Sequence, residues 1–197
     1  MNEATGCKAL RKFTGHESSV EAVLHVGPSL AVSCSNDRTL RTWDHRVKGS
    51  VGVLRGHTGP VTCAQKMKTE RNILASGSAD GTVMMWDVRS TARGPTRKLR
   101  GHGDRVTCMV GGPDSLYSCS EDSCMLEWDW ISGDLPRFRF GGRGGRGGAG
   151  GGGISCVART GRALLTAGWD HTVRMWPLSS PDPLPGDHSP GDRNSWQ

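Results

Sequence analysis

Ile73-Leu74-Ala75-Ser76-Gly77-Ser78-Ala79-Asp80-Gly81-Thr82-Val83-Met84-Met85-Trp86-Asp87 is the stretch on which the fold turns. Two short runs of apolar, small and β-branched residues flank Ala79-Asp80-Gly81, and a Gly-containing turn between such runs is a hairpin signal. Strands are predicted over Ile73–Ser78 and Thr82–Asp87, with Val61–Lys66 before them and Thr96–Arg100 after them. The last of these leads straight into Gly101-His102. Four strands therefore separate one Gly-His pair, Gly56-His57, from the next.

The unit recurs. Gly15-His16 precedes Trp43-Asp44, and Gly101-His102 precedes Trp128-Asp129, while a fourth copy ends at Trp176-Pro177. The tryptophans are 43, 42 and 48 residues apart; the first two steps fall within the ~40–45 residue period of a four-stranded repeat and the third is slightly longer. Other columns keep the same phase. An aspartate stands six residues before each Trp (Asp37, Asp80, Asp122, Asp170), and a hydroxyl four residues before each Asp (Ser33, Ser76, Ser118, Thr166). Val20, Val61 and Val106 follow their histidines by four residues, and Ile154 holds that place in the last copy.

On these residues the chain resembles the WD-40 repeat β-propeller family over about residues 8–177. The resemblance implies an all-β propeller of four-stranded antiparallel blades, with units of about 8–48, 49–91, 92–134 and 135–177. It also implies a hydrogen-bonded tetrad in each unit: His16, Ser33, Asp37 and Trp43; His57, Ser76, Asp80 and Trp86; His102, Ser118, Asp122 and Trp128. The fourth keeps Thr166, Asp170 and Trp176 but has Gly150 where the histidine belongs. In this family an outer strand at the start of the chain, here Lys8–Phe13, can complete the last blade and lock the ring. Four blades closed in this way, or a fragment of a longer propeller, both satisfy the pattern.

Composition sets the class. The first residues carry no apolar h-region, and no run of about 18 apolar residues occurs, so an intracellular, non-membrane protein is expected. Seven cysteines without a Cys-x-x-Cys pair weigh against zinc and against a disulfide framework. Cys63, Cys108 and Cys156 share one column, and Cys34 and Cys119 another, as small residues of buried strands do. The Ser-His-Asp trio suggests a hydrolase, but it occurs three times, and there is no Gly-x-Ser-x-Gly elbow or phosphate-cradling loop. No enzyme activity, cofactor, metal or small-molecule substrate is expected; the expected partners are other proteins.

Three segments bear on those partners. Trp43-Asp44-His45-Arg46 and Trp86-Asp87-Val88-Arg89 end in Arg. In this family a Trp-Asp-x-Arg ending marks many substrate receptors of cullin-4 ubiquitin ligases, which implies that Arg46 and Arg89 contact the ligase adaptor. Physically, a guanidinium fork can pair bidentately with a partner carboxylate. Residues 141–153 form a Gly/Arg-rich insertion following Phe138-Arg139-Phe140, with Arg143 and Arg146 inside it. Such tracts hold RNA by charge and stacking, and the net charge of +6 is compatible; RNA association is the alternative function. The Pro/Ser-rich tail 178–197 has no apolar periodicity and is expected to be disordered. Turn positions add Arg38, Arg41, Arg105 and Trp169 as rim candidates for partner binding.

Overall fold

The computed structural model describes residues 9–70, 72–113, 115–129, 135–141 and 152–178, all of them strand, turn or coil. The first sheet is β1 (Val20–Gly27), β2 (Leu30–Ser35), β3 (Thr39–Asp44) and β4 (Ser50–Arg55), antiparallel in chain order. The second is β5 (Val61–Lys66), β6 (Ile73–Ser78), β7 (Thr82–Asp87) and β8 (Arg97–Arg100). The third is β9 (Val106–Gly111), β10 (Leu116–Ser120), β11 (Met125–Trp128) and β12 (Pro136–Phe140). The fourth has three strands, β13 (Ile154–Arg159), β14 (Ala163–Gly168) and β15 (Val173–Pro177). The protein is an all-β propeller assembly, and the strands read from the second repeat reappear with a single residue's change at the start of β8.

Of the two arrangements the repeat pattern allows, closure by the first segment is not formed. Residues 9–13 form no strand, and Leu10 is fully exposed, so the segment expected to complete the last blade does not pair with β15. The first strands instead pack in series, β1 on β5, β5 on β9 and β9 on β13. The blades form an open arc.

Packing between blades follows strand alternation. Successive side chains point to opposite faces of a sheet, so each blade offers a leading face to the blade before it and a trailing face to the one after. Val32, Cys34, Leu40 and Leu54 on the trailing face of blade one meet Val61, Leu74, Met84 and Trp86 on the leading face of blade two. Ala75, Val83, Met85 and Leu99 meet Val106, Leu116, Leu126 and Trp128 in the same way. Tyr117, Cys119, Met125 and Phe140 meet Ile154, Val157, Leu164 and, half-buried, Trp176. Each fully buried aliphatic side chain contributes about 1.5–3 kcal/mol by leaving water, and the interfaces are built from such residues.

Each first strand carries a bulge opposite its partner, between Val20 and Ala22, Val61 and Cys63, and Ile154 and Cys156, and β9 shifts register at the same place. An extra residue turns its side chain out of the ladder. Thr62 and Thr107 sit there and use the hydroxyl to cross between blades, Thr62 Oγ1 donating to Val106 O at 2.6 Å and Thr107 Oγ1 to Ile154 O at 2.5 Å.

Candidate binding surfaces

The tetrads implied by the repeat are present in the first three blades. His16 Nδ1 lies 2.6 Å from Asp37 Oδ2, His16 Nε2 lies 2.7 Å from Ser33 Oγ, and Trp43 Nε1 donates to that hydroxyl at 2.7 Å. The same three contacts measure 3.1, 2.7 and 2.8 Å around His57 and 3.1, 2.7 and 2.7 Å around His102. A carboxylate only accepts, so Nδ1 carries the proton; Nε2 of the neutral ring then accepts from the serine, which in turn accepts from the indole. Every donor has one acceptor. Burial alone would raise the Asp37, Asp80 and Asp122 carboxyls, but hydrogen bonds from Thr39 and His16, from His57 and Thr82, and from His102 hold all three below their ordinary value.

The Ser-His-Asp order is that of a hydrolytic triad, but Ser76 and Ser118 are completely buried and each hydroxyl is held by an indole. A nucleophile needs room for a carbonyl carbon about 3 Å away. Blades two and three give it none.

The fourth blade solves the same problem with different residues. Trp176 Nε1 donates to Thr166 Oγ1 at 2.9 Å, but Asp170 Oδ2, the atom that meets histidine elsewhere, accepts from Arg174 Nη2 at 2.6 Å. Gly150, which stands in the histidine column, lies outside the described residues, as do Arg143 and Arg146 of the Gly/Arg tract and residues 179–197 of the tail. Phe140 stacks edge-on to Trp176 at 6.1 Å, close to the His–Trp centroid distances of 5.9–6.1 Å in the other blades. The role of Arg174 was not legible in the repeat columns: residue 174 corresponds to Arg41, Met84 and Leu126, and Arg41, the one other arginine there, turns to Ser50 and not to its aspartate.

The two Trp-Asp-x-Arg turns are near copies. Arg46 Nε donates to Asp44 Oδ1 at 3.0 Å and Nη2 to Oδ2 at 2.6 Å; for Arg89 and Asp87 the values are 3.0 and 2.7 Å. Backbone N–H groups of the same arginines also donate to Oδ1, which closes each turn as an Asx-type loop. The fork expected to await a partner carboxylate therefore already grips one in its own turn. This partner holds the Asp44 carboxyl down to about 2. Two of the five guanidinium N–H donors are so engaged, and both side chains are otherwise exposed. In the third repeat Asp129 pairs instead with Arg137 of the outer strand, at 2.6 Å.

The remaining candidates divide between places. Arg38 is exposed in the β2–β3 turn with φ 69°, and its column mates Ser123 and His171 are also left-handed while the second blade has Gly81 at φ 74°. Arg105 lies 3.8 Å from Glu121, and Trp169 is exposed beside Asp170 rather than packed into the site of the missing histidine. These three stand at the tetrad end of the blades, whereas Arg46 and Arg89 stand at the opposite end, past the close of β3 and β7. Arg41 is not in a turn. It lies within β3 on the leading face of blade one, half-buried, donating through Nη1 to Ser50 Oγ at 3.2 Å.

That leading face is open. A groove of ≈590 Å³ runs over it, lined by Phe13, Val20, Val23, Leu30, Ala31 and Trp43 among others. The sequence left ring closure open and named turn residues as the binding candidates, so it did not single out this face. Among the described residues no group of three His, Cys, Asp or Glu side chains could hold a metal ion, and no helix is long and apolar enough to cross a membrane. Burial pushes the Cys34 thiol up to about 12 and the Cys124 thiol up to about 11, so neither is a reactive thiolate near neutral pH.

Comparison with known proteins agrees with this geometry. The profile of a family described as "WD domain, G-beta repeat" matches residues 7–44, 48–87, 93–129 and 147–177. Nucleoporin Nup43 of Mus musculus is 30% identical over 148 residues, covering 69% of this chain and 38% of that protein. A ribosome biogenesis protein WDR12 homolog of Chlamydomonas reinhardtii is 29% identical over 181 residues, covering 77% of this chain and 40% of its own length. The chain thus spans about two-fifths of the length of these relatives. Among solved structures, the WD40 β-propeller domain of Doa1 superposes with a TM-score of 0.71 at 18% identity, over 85% of this chain and 54% of that one.

Proposed function

The chain belongs to the WD-repeat family, and from that premise we propose that it is a non-enzymatic scaffold for protein–protein contacts inside the cell. The finer proposal is that it serves as a substrate-receptor subunit of a cullin-4 type ubiquitin ligase, docking through its Trp-Asp-x-Arg turns. One observation carries this reading: Arg46 and Arg89 occupy equivalent turns of adjacent blades, are both exposed, and are both fixed by their own aspartates. A pre-positioned, exposed cation loses little side-chain entropy on binding, and a matched pair at one end of neighbouring blades makes a recognisable patch. The buried, saturated serines support the non-enzymatic part of the proposal. Relatives named for the nuclear pore and for ribosome biogenesis are consistent with assembly roles in general.

The test is co-purification with the cullin-4 adaptor. Wild type is expected to be recovered with it, and Arg89→Ala to lose at least tenfold in affinity, about 1.4 kcal/mol or more. Thermal melting should be nearly unchanged, because an exposed ion pair contributes little to stability. Failure of the wild type to co-purify, or equal recovery of Arg46→Ala/Arg89→Ala, removes the ligase assignment and leaves a scaffold for other proteins.

A further inference from the structure

The first and last blades each expose one face that every inner blade buries. On the leading side, Val61, Val106 and Ile154 are buried, yet Val20 in the same column is 54% exposed. Met109 and Val157 are buried, yet Val23 in their column is 71% exposed. On the trailing side, Leu40, Val83 and Met125 are fully buried, while Val173 is 72% exposed; Thr42 and Met85 are buried, while Met175 is 73% exposed. The two open surfaces are thus the complementary halves of an interface that the molecule already forms three times.

The segment before β1 has the same character. In the inner blades the outer strand of one blade runs into the first strand of the next, and Leu54, Leu99 and Phe140 on those outer strands pair with Leu40, Val83 and Met125. Phe13 is the corresponding residue before β1. Its ring lies 5.6 Å from Trp43, the contact that Phe140 makes with Trp176 at 6.1 Å, and Arg11 Nη1 holds the segment down through the carbonyls of His45 and Val47. Residues 11–13 therefore already sit where the outer strand of a preceding blade would lie. β15 meanwhile pairs only with β14 and leaves its other edge unpaired among the described residues. A free edge is a site for strand addition.

We propose that two copies of this chain pair head to tail, the trailing face of blade four in each seating on the leading face of blade one in the other, to close one ring of eight blades. The segment around Phe13 of each copy then supplies the missing fourth strand beside β15 of its partner. Ser155 stands at the bulge that Thr62 and Thr107 occupy in their blades, and at present its Oγ donates within its own blade, to Ala167 O at 3.1 Å. In the ring it reaches the Val20 carbonyl of the second copy, as Thr62 reaches Val106. Head-to-tail contacts grow into filaments unless the rotation closes. Closure fits here because the chain covers 54% of a WD40 propeller domain, so two arcs come to about one full turn. This assembly rests on blade faces and not on the Arg46 and Arg89 side chains, although Arg11 of its docking segment is held by the carbonyls on either side of Arg46.

Sedimentation equilibrium of the full chain under reducing conditions, from low to high micromolar, reads the outcome. The expected mass is that of two chains. Val23→Asp and Met175→Asp, both at exposed positions, should each shift the mass to one chain with unchanged circular dichroism and melting. Mixing the two variants should restore pairing in part, because each retains the face that the other has lost. Cys156, exposed on the trailing face, should react with maleimide severalfold more slowly in the wild type than in Val23→Asp. A single chain at every concentration overturns the proposal. So does an open series of larger species, or loss of pairing in Val23→Asp alone, which marks a face-to-face dimer of leading faces.

Discussion

A single imidazole joins a carboxylate to a serine hydroxyl in each of the first three blades. His57 bridges Asp80 and Ser76, and Ser76 in turn accepts from Trp86. Removing the ring leaves a carboxylate and a hydroxyl short of a partner in a buried place, at a cost of about 1–3 kcal/mol. His57→Ala should therefore lower the melting temperature by several degrees, and Thr166→Ala, which leaves only the Trp176 indole unpaired, by clearly less; equal shifts would mean that the histidine is not the hub. The aspartates add a pH signature. Their folded-state values lie below the ordinary ~3.9 of the unfolded chain. Their stabilisation is thus complete above about pH 4–5 and is lost as the pH falls below that range. Urea midpoints between pH 2 and 7 should drop on the acid side more steeply for wild type than for Asp80→Asn, and identical slopes would contradict the network. At this scale the sequence was informative because each tetrad member recurs in fixed phase. Arg174 was not legible, since its partnership with Asp170 belongs to one blade and to no column.

Elements show where periodicity stops being a guide. The strands of the second blade could be read almost to the residue, because short runs of apolar, small and β-branched residues flank the Asp80-Gly81 turn. The turn after Asp needs a left-handed residue in all four blades, yet glycine fills it only once, so its geometry was hidden in three of them. The entry to the fourth blade is a different case. A Cβ on Gly152 would lie 2.3 Å from the Asp170 backbone nitrogen, and backbone cannot step aside as a side chain can. Gly152→Ala should cost about 1–3 kcal/mol. Gly161→Ala, in a turn with nothing within 4 Å, should stay within about 0.5 kcal/mol. Parallel denaturation curves check the pair, and equal midpoints would show that the fourth blade is not tightly entered. The Trp-Asp-x-Arg turns were legible as motifs, but not their internal ion pairs, because the sequence does not say that Arg89 folds back on Asp87.

At the scale of the whole molecule, repeat counting gave four blades and left closure open. What decides it is the fate of the two ends. Residues 9–13 stay with blade one, where Phe13 meets Trp43 and Arg11 meets the β3–β4 turn, and β15 pairs only with β14 among the described residues. An arc of this kind has two apolar faces and two ends of blades on which turns are displayed, and the proposed scaffold role and the proposed paired ring draw on these surfaces. Everything downstream rests on the arc being open. Pulsed electron-spin distances test this most directly, with nitroxides placed pairwise at the bulge positions Glu21, Thr62, Thr107 and Ser155 and the labelled chains diluted in unlabelled protein. In an open arc, distances from Glu21 are expected to rise in order through Thr62 and Thr107 to Ser155. A Glu21–Ser155 distance as short as Glu21–Thr62 would mean that the four blades close on themselves, and would contradict it.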